Sequence, residues 1–202
     1  MIGRPLGGGA RIPLSARACR PLGSWPTISA VRHILLLATS LSLIAQPPDS
    51  KPDPFKPFQF LLGDWVGQGS GAPGAGSGDF SLQYDLQGHV LVRKSYAEYP
   101  ASQNRPAYRH DDLMIVYMDE GAKTPKAIYF DSEGHVISYS VVSSENSVRF
   151  VSGAAAGQPR YRLTYRKTGD DTVALEFEIA PPGKPDAFAS YIQASARRKG
   201  PK

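Results

Sequence analysis

The chain has 202 residues, with 23 Lys and Arg, 18 Asp and Glu, and a formal net charge of +5; that length suits one ordinary domain. The charge is unevenly placed. Residues 1–45 hold five basic residues (Arg4, Arg11, Arg17, Arg20 and Arg32) and no acid, so the rest of the chain is neutral, with the two signs interspersed. Such a domain has no electrostatic footprint for a phosphate backbone, and nucleic-acid binding is disfavoured.

The first 45 residues read as a leader. Ile34 to Ile44 is an uncharged stretch of eleven residues, short of the roughly 20 that a membrane helix needs but suited to the apolar region of a signal peptide. Arg32 and His33 precede it, and Ala45 suits the last residue before cleavage. Residues 1–30 are rich in Gly, Pro and Arg and long for a leader, which points to a native start near Val31 and a gene-model extension before it; the alternatives are a genuine long leader and an uncleaved anchor. The expected product is secreted or periplasmic, with no stable membrane span once the leader is removed. Its only cysteine, Cys19, would leave with the leader, so the mature chain has no disulfide or thiol chemistry.

Residues 46–57 (QPPDSKPDPFKP) are too proline-rich for regular structure and read as a linker. Phe58 to Leu62 can form one helical turn. From there to residue 199 the pattern is of short runs rich in Val, Ile, Tyr, Phe and Thr, separated by turn residues. Ten strands are expected, at 64–70, 78–85, 89–99, 111–119, 125–131, 135–143, 147–152, 159–167, 171–180 and 187–198. The breakers between them, such as Asp119-Glu120-Gly121 and Thr168-Gly169-Asp170, suit hairpins, so sequential strands should pair antiparallel. Val173, Leu175, Phe177 and Ile179 alternate with Thr172, Ala174, Glu176 and Glu178, the two-residue period of a strand with unlike faces. A meander this long exposes two edges unless it closes, and closure at about ten strands leaves an interior too wide for side chains alone. The fold expected over residues 58–199 is therefore all-β, a closed antiparallel meander barrel with a cavity.

LLGDWVGQGSG, from Leu61 to Gly71, opens the first strand and contains the only Trp after residue 25. A Trp there can lie across the barrel end, burying of order 150–250 Å². A cation from Ala196-Arg197-Arg198-Lys199 can cover its ring. Gly63, Trp65 and Arg197 are taken as the structural set.

This opening, with a basic cluster closing the last strand, resembles the calycin superfamily. Phe60 to Gly69 is similar to the Leu-Leu-Gly-x-Trp-x-Gly-x-Gly opening of nitrobindin-like barrels. The runs His110-Asp111-Asp112-Leu113-Met114 and Ile128-Tyr129-Phe130-Asp131-Ser132-Glu133-Gly134-His135-Val136 resemble an uncharacterised bacterial DUF1579-type family. The nitrobindin likeness implies a haem held by a His on the final strand. Residues 187–199 contain no His, and Tyr191 falls near that position. Tyrosine can ligate ferric haem, but a lone Tyr on a strand is more often packed or hydrogen-bonded, so no cofactor is expected.

Other groupings are weighed against simpler readings. Gly67-Gln68-Gly69-Ser70-Gly71 and Gly74-Ala75-Gly76-Ser77-Gly78 echo dinucleotide loops, but a strand-like run follows where a Rossmann loop requires a helix. A flexible portal loop is the better reading. Asp131, Glu133 and His135 alternate as metal ligands can, yet Ser132-Glu133-Gly134 is turn chemistry that should splay them; no metal site is assigned. His110 and Asp112 share a strand face and could act as an acid–base pair, although His110 also suits a solvated strand end. His135 and Tyr139 share a face about 13 Å apart. Arg93, Arg162 and Glu176 are further polar residues on alternating strands, and an interior Arg–Glu pair could bind a carboxylate or satisfy itself. Asp112, His135, Tyr139 and Arg162 form the expected ligand set, with Ile128, Phe130 and Ile137 or their alternate-face neighbours as apolar lining. No activated nucleophile is evident. The leading function is binding of a small, partly apolar molecule inside the barrel. The alternatives are an enzyme using His110, Asp112 or His135, and an envelope-associated module with a filled barrel.

Overall fold

The computed structural model describes residues 53–103 and 105–200; the expected leader and most of the expected linker lie outside them. Ten strands follow one another: β1 Gly63–Gly71, β2 Gly76–Asp85, β3 Val90–Tyr99, β4 Tyr108–Tyr117, β5 Lys126–Asp131, β6 Val136–Ser144, β7 Ser147–Ser152, β8 Arg160–Gly169, β9 Thr172–Ala180 and β10 Ala189–Arg198. Each pairs antiparallel with its sequence neighbours, and β1 pairs with β10, closing the barrel. No sheet edge remains unpaired, as the length of the meander demands. Among the described residues no helix is long and apolar enough to cross a membrane.

Strand alternation puts one set of side chains inside. Odd-numbered strands start, and even-numbered strands finish, at the same end of the barrel. That end is filled: Trp65, Leu91, Val116, Val148 and Tyr165 are almost completely buried there. A 3₁₀ turn, Lys56–Leu61, lies beneath it and contributes Phe58 and Leu61. Phe55, just before the turn, is also buried, with its ring against Phe58 at 6.3 Å and Tyr84 at 6.2 Å. The linker expected over 46–57 therefore ends too late, because composition alone does not register that Phe55 has a place to pack.

Trp65 explains its own position. Its indole N–H donates to the Leu61 carbonyl at 2.8 Å, and its ring stacks on Phe80 at 5.7 Å with planes 9° apart. The covering cation is Arg198, 4.4 Å from the ring centroid, and not Arg197. Register is the reason. Arg198 lies directly opposite Trp65 in the β1–β10 pair and shares its face, whereas Arg197 lies opposite Val66 and is exposed. Arg198 also donates to the carbonyls of Phe60 and Leu62, fastening the turn to the last strand. Gly63 has φ of 105°, and a Cβ there would lie 2.9 Å from the Arg198 guanidinium. The residue thus serves both a left-handed backbone and a close approach.

Candidate functional site

The other end of the barrel is open. Above the packed floor lies a cavity of about 490 Å³, within the range of small-molecule sites. Its walls differ. Along the middle of β1, β2 and β10, between Phe80 at the floor and Ile192 towards the mouth, the inward positions are glycine and alanine: Gly67 is opposite Ala196 and Gly78, and Gly69 is opposite Ala194 and Gly76. This wall has almost no side chain. A Cβ on Gly69 would lie 2.7 Å from that of Ala194, and one on Gly76 would lie 2.8 Å from the Tyr99 ring. The glycine repeats are therefore largely strand, not portal loop, since Gly67–Gly71 belong to β1 and Gly76–Gly78 to β2. By strand order, β1 and β2 face β6 and β7 across the barrel.

The wall formed by β8, β9 and β10 is apolar, with Leu163, Leu175, Phe177, Ile179 and Ile192 lining the cavity. The wall formed by β3, β4 and β5 is polar. Arg93 on β3 and Asp112 on β4 make a buried ion pair, Nη1 to Oδ1 at 2.6 Å. Burial alone would lower the Arg93 pKa, but the Asp112 carboxylate more than reverses this and keeps the guanidinium charged. Arg93 also lies 5.7 Å from the Phe80 ring centroid and 5.8 Å from that of Tyr165.

Towards the mouth, His110 Nε2 and the Tyr129 hydroxyl are 2.9 Å apart, and His110 Nδ1 is 3.0 Å from Glu133 Oε1. An ionised carboxylate only accepts, so Nδ1 carries the proton, and a neutral ring accepts at Nε2 from the tyrosine. Burial, then the nearby Asp112 and Asp131 carboxylates, push the Tyr129 phenol far above its ordinary value, and burial does the same at Tyr139. Both remain neutral hydroxyls. His135 Nδ1 lies 2.9 Å from Asp131 Oδ2. Asp131 Oδ1 accepts from the backbone amides of Glu133 and His135 at 3.1 and 2.9 Å. Burial raises the Asp131 pKa, but the His135 amide and imidazole outweigh it, and the net shift is downward.

Asp112, His135 and Tyr139 all line the cavity. Asp112 is deep and Tyr139 is 4 % exposed, while the His135 side chain, just before β6, is 59 % exposed and sits on the rim. Arg162 does not line it. Tyr161, Leu163 and Tyr165 occupy the inner face of β8, so the period of two turns Arg162 outward. There it pairs with Glu178 across the strands and lies 4.1 Å from the Phe188 ring centroid. Ile128 and Phe130 are outward for the same reason, while their alternate-face neighbours Tyr129 and Asp131 line the cavity with Ile137. His110 is half-buried rather than a solvated strand end.

Sequence reasoning named Arg93 only as one of several polar residues and missed its pairing with Asp112. A basic residue directly after the apolar run Val90-Leu91-Val92 was the available signal. It also missed the chain from Glu133 through His110 to Tyr129, which spans 23 residues of sequence.

His110, Asp131 and Glu133 bring three potential ligand atoms within 4.8 Å of one another. In the present arrangement, hydrogen bonds to Tyr129, His135, the turn amides and one another occupy them. The final strand offers no imidazole to a haem, because β10 carries no His. Tyr191 sits at the bulge between Ser190 and Ile192 with its ring edge-on to Phe177 at 6.1 Å.

No family model and no curated protein matches the chain. Solved structures do match. Rv2717c from M. tuberculosis aligns over 75% of this chain and 100% of its own, at 12% identity and a TM-score of 0.52. The S-type phycobiliprotein lyase CpeS from Guillardia theta aligns over 76% and 100%, at 9% identity and a TM-score of 0.44. The likeness to Rv2717c concerns the fold: the chain is an all-β, closed, ten-stranded antiparallel meander barrel.

Proposed function

We propose that this protein is an exported calycin-type barrel that binds a small, partly apolar molecule in its internal cavity. The observation that carries the reading is the 490 Å³ cavity itself, in which apolar lining is combined with a few convergent polar groups, the usual composition of ligand sites. Asp112 and Tyr139 belong to its wall and His135 to its rim; Arg162 is withdrawn. A filled barrel would need large inward side chains along the middle of β1, β2 and β10, where Gly67, Gly69, Gly76, Gly78, Ala194 and Ala196 stand. The DUF1579-type likeness is part of the proposal, and the two runs that carry it supply His110, Asp112, Tyr129 and Asp131 to the polar wall.

Native mass spectrometry of protein purified from its own host tests the reading. A co-purified small molecule, displaced by the cavity-filling change Ala194→Leu, is the expected result. Protein that is always ligand-free and gives no saturable binding to any apolar probe would sink it. Export is tested separately by N-terminal sequencing, which should begin near Gln46; an intact Met1 on exported material would overturn that part. The enzymatic alternative rests on the Glu133–His110–Tyr129 chain, which reaches the cavity and could relay a proton. It requires turnover that His110→Gln abolishes without lowering the melting temperature.

A further inference from the structure

Granted that the cavity holds a small ligand, the reading on which this inference rests, its walls constrain the chemistry of that ligand. The deep polar groups are matched in charge. Arg93 is 7 % exposed, and its ion-pair partner among the described residues is Asp112. A carboxylate ligand placed here would approach Asp112, and an ammonium ligand would approach Arg93. Either would bring an unbalanced charge into a site where water screens poorly. The pair therefore selects against both.

The pair still has hydrogen-bonding capacity on both sides. Asp112 Oδ1 accepts from Arg93, while Oδ2 lies 3.9 Å from His110 Nε2, beyond hydrogen-bond reach. Arg93 Nε is enclosed by protein and is not open to a ligand, whereas Nη2 has no hydrogen-bond partner among the described residues and is not enclosed in that way, so the guanidinium keeps a donor for a ligand. An acceptor thus stands beside a donor in a pair with no net charge. The neutral Tyr129 and Tyr139 hydroxyls add to this side.

The remaining walls limit shape. The glycine and alanine wall has no projecting side chains and lies across the barrel from Ile137 and Tyr139. Tyr161 and Phe177 stack on each other at 6.0 Å with planes 8° apart, presenting an aromatic surface next to it. A backbone wall facing rings suits a flat molecule.

We infer that the cavity takes a neutral, planar, fused-ring molecule with a hydrogen-bond donor next to an acceptor on one edge, of the lactam or heteroaromatic amide type, read by the Arg93–Asp112 pair. Sites built to hydrogen-bond a group reject analogues that lack it, because the protein groups are then left unpaired.

Four probes of one skeleton test this by fluorescence titration of the full mature chain: phenanthridinone, phenanthrene, phenanthrene carboxylate and a phenanthrene methylammonium. Phenanthridinone should bind roughly tenfold or more tightly than each of the others, the scale of one well-made hydrogen bond. Equal affinities, or preference for either ion, would overturn the ligand class while leaving the cavity reading intact. Failure of all four to bind while a flexible apolar probe such as a fatty alcohol binds saturably would overturn the planar ligand class and leave the cavity reading intact; failure of that probe too would overturn both. Removing one partner alone would bury an unpaired charge and risk unfolding, so the variant is the double change Arg93→Met with Asp112→Leu. Replacing both partners by apolar residues is often well tolerated. That variant should keep its melting temperature, still bind phenanthrene and lose the preference for phenanthridinone. A preference that persists in it would refute the role given to the pair.

Discussion

The two ends of this barrel share the same strands and differ in what fills them. At the closed end the inward positions carry large apolar side chains, and one tryptophan is fixed on three sides by Phe80, Arg198 and the Leu61 carbonyl. Towards the open end most inward positions of three strands are glycine or alanine, and the polar groups form short chains that meet on one wall. Closure of a ten-stranded sheet creates more volume than a core needs. Packing one end and leaving small residues at the other gives a stable barrel that still has room inside.

The sharpest way to break this contrast is Trp65→Ala. The closed end should lose about 3–5 kcal/mol, as for large aromatic truncations in cores, read by urea denaturation. An unchanged midpoint would mean the ring contributes nothing to closure. Next in size is Arg198→Gln, which removes the cation over Trp65 and the tie to the Phe60 and Leu62 carbonyls and should cost about 1–3 kcal/mol. Arg197→Gln, one residue away on the outer face, should stay within about 0.5 kcal/mol. Equal effects from the two would contradict the β1–β10 register.

At the open end the expectation reverses. Ala194→Leu points a larger side chain into empty space, so it should weaken ligand binding by roughly tenfold or more while changing stability by less than about 1 kcal/mol. His135→Ala, at the exposed rim, should change stability by no more than about 0.5 kcal/mol. The smallest effect concerns the outer wall. The hydrogen bond from Arg162 holds the Glu178 carboxyl below its ordinary value of 4.5, against the upward pull of burial. A lowered folded-state pKa stabilises the protein above the unfolded value, and this contribution is lost as pH falls through the folded one. Glu178→Gln should therefore flatten the acid side of the stability profile below about pH 4.5 and leave ligand binding unchanged. A changed ligand affinity would mean that this pair reaches the cavity after all.

The strands, their order and their closure were legible in the sequence because each depends on local information. Two-residue alternation, such as Val173, Leu175, Phe177 and Ile179, marks a strand wherever it lies. Short turns force neighbours to pair, and an open meander of ten strands has edges that closure removes. Trp65 was legible for the same reason, since a lone Trp between glycines at the head of the first strand has one large burial to make. Facing was harder. Arg162 and Glu176 could be read as an interior ion pair, yet each shares its face with polar neighbours, Arg160, Thr164 and Arg166 on β8 and Thr172 and Glu178 on β9, and packing turns those faces out. Arg197 and Arg198 are adjacent and chemically equal; a register set by pairing with a strand more than a hundred residues away selects one. The Arg93–Asp112 pair and the Glu133–His110–Tyr129 chain join residues from different strands, and no spacing within one strand encodes them. Local chemistry fixed the elements and their order, while the tertiary structure chose the inner face, paired its charges and placed the small residues together to leave a cavity.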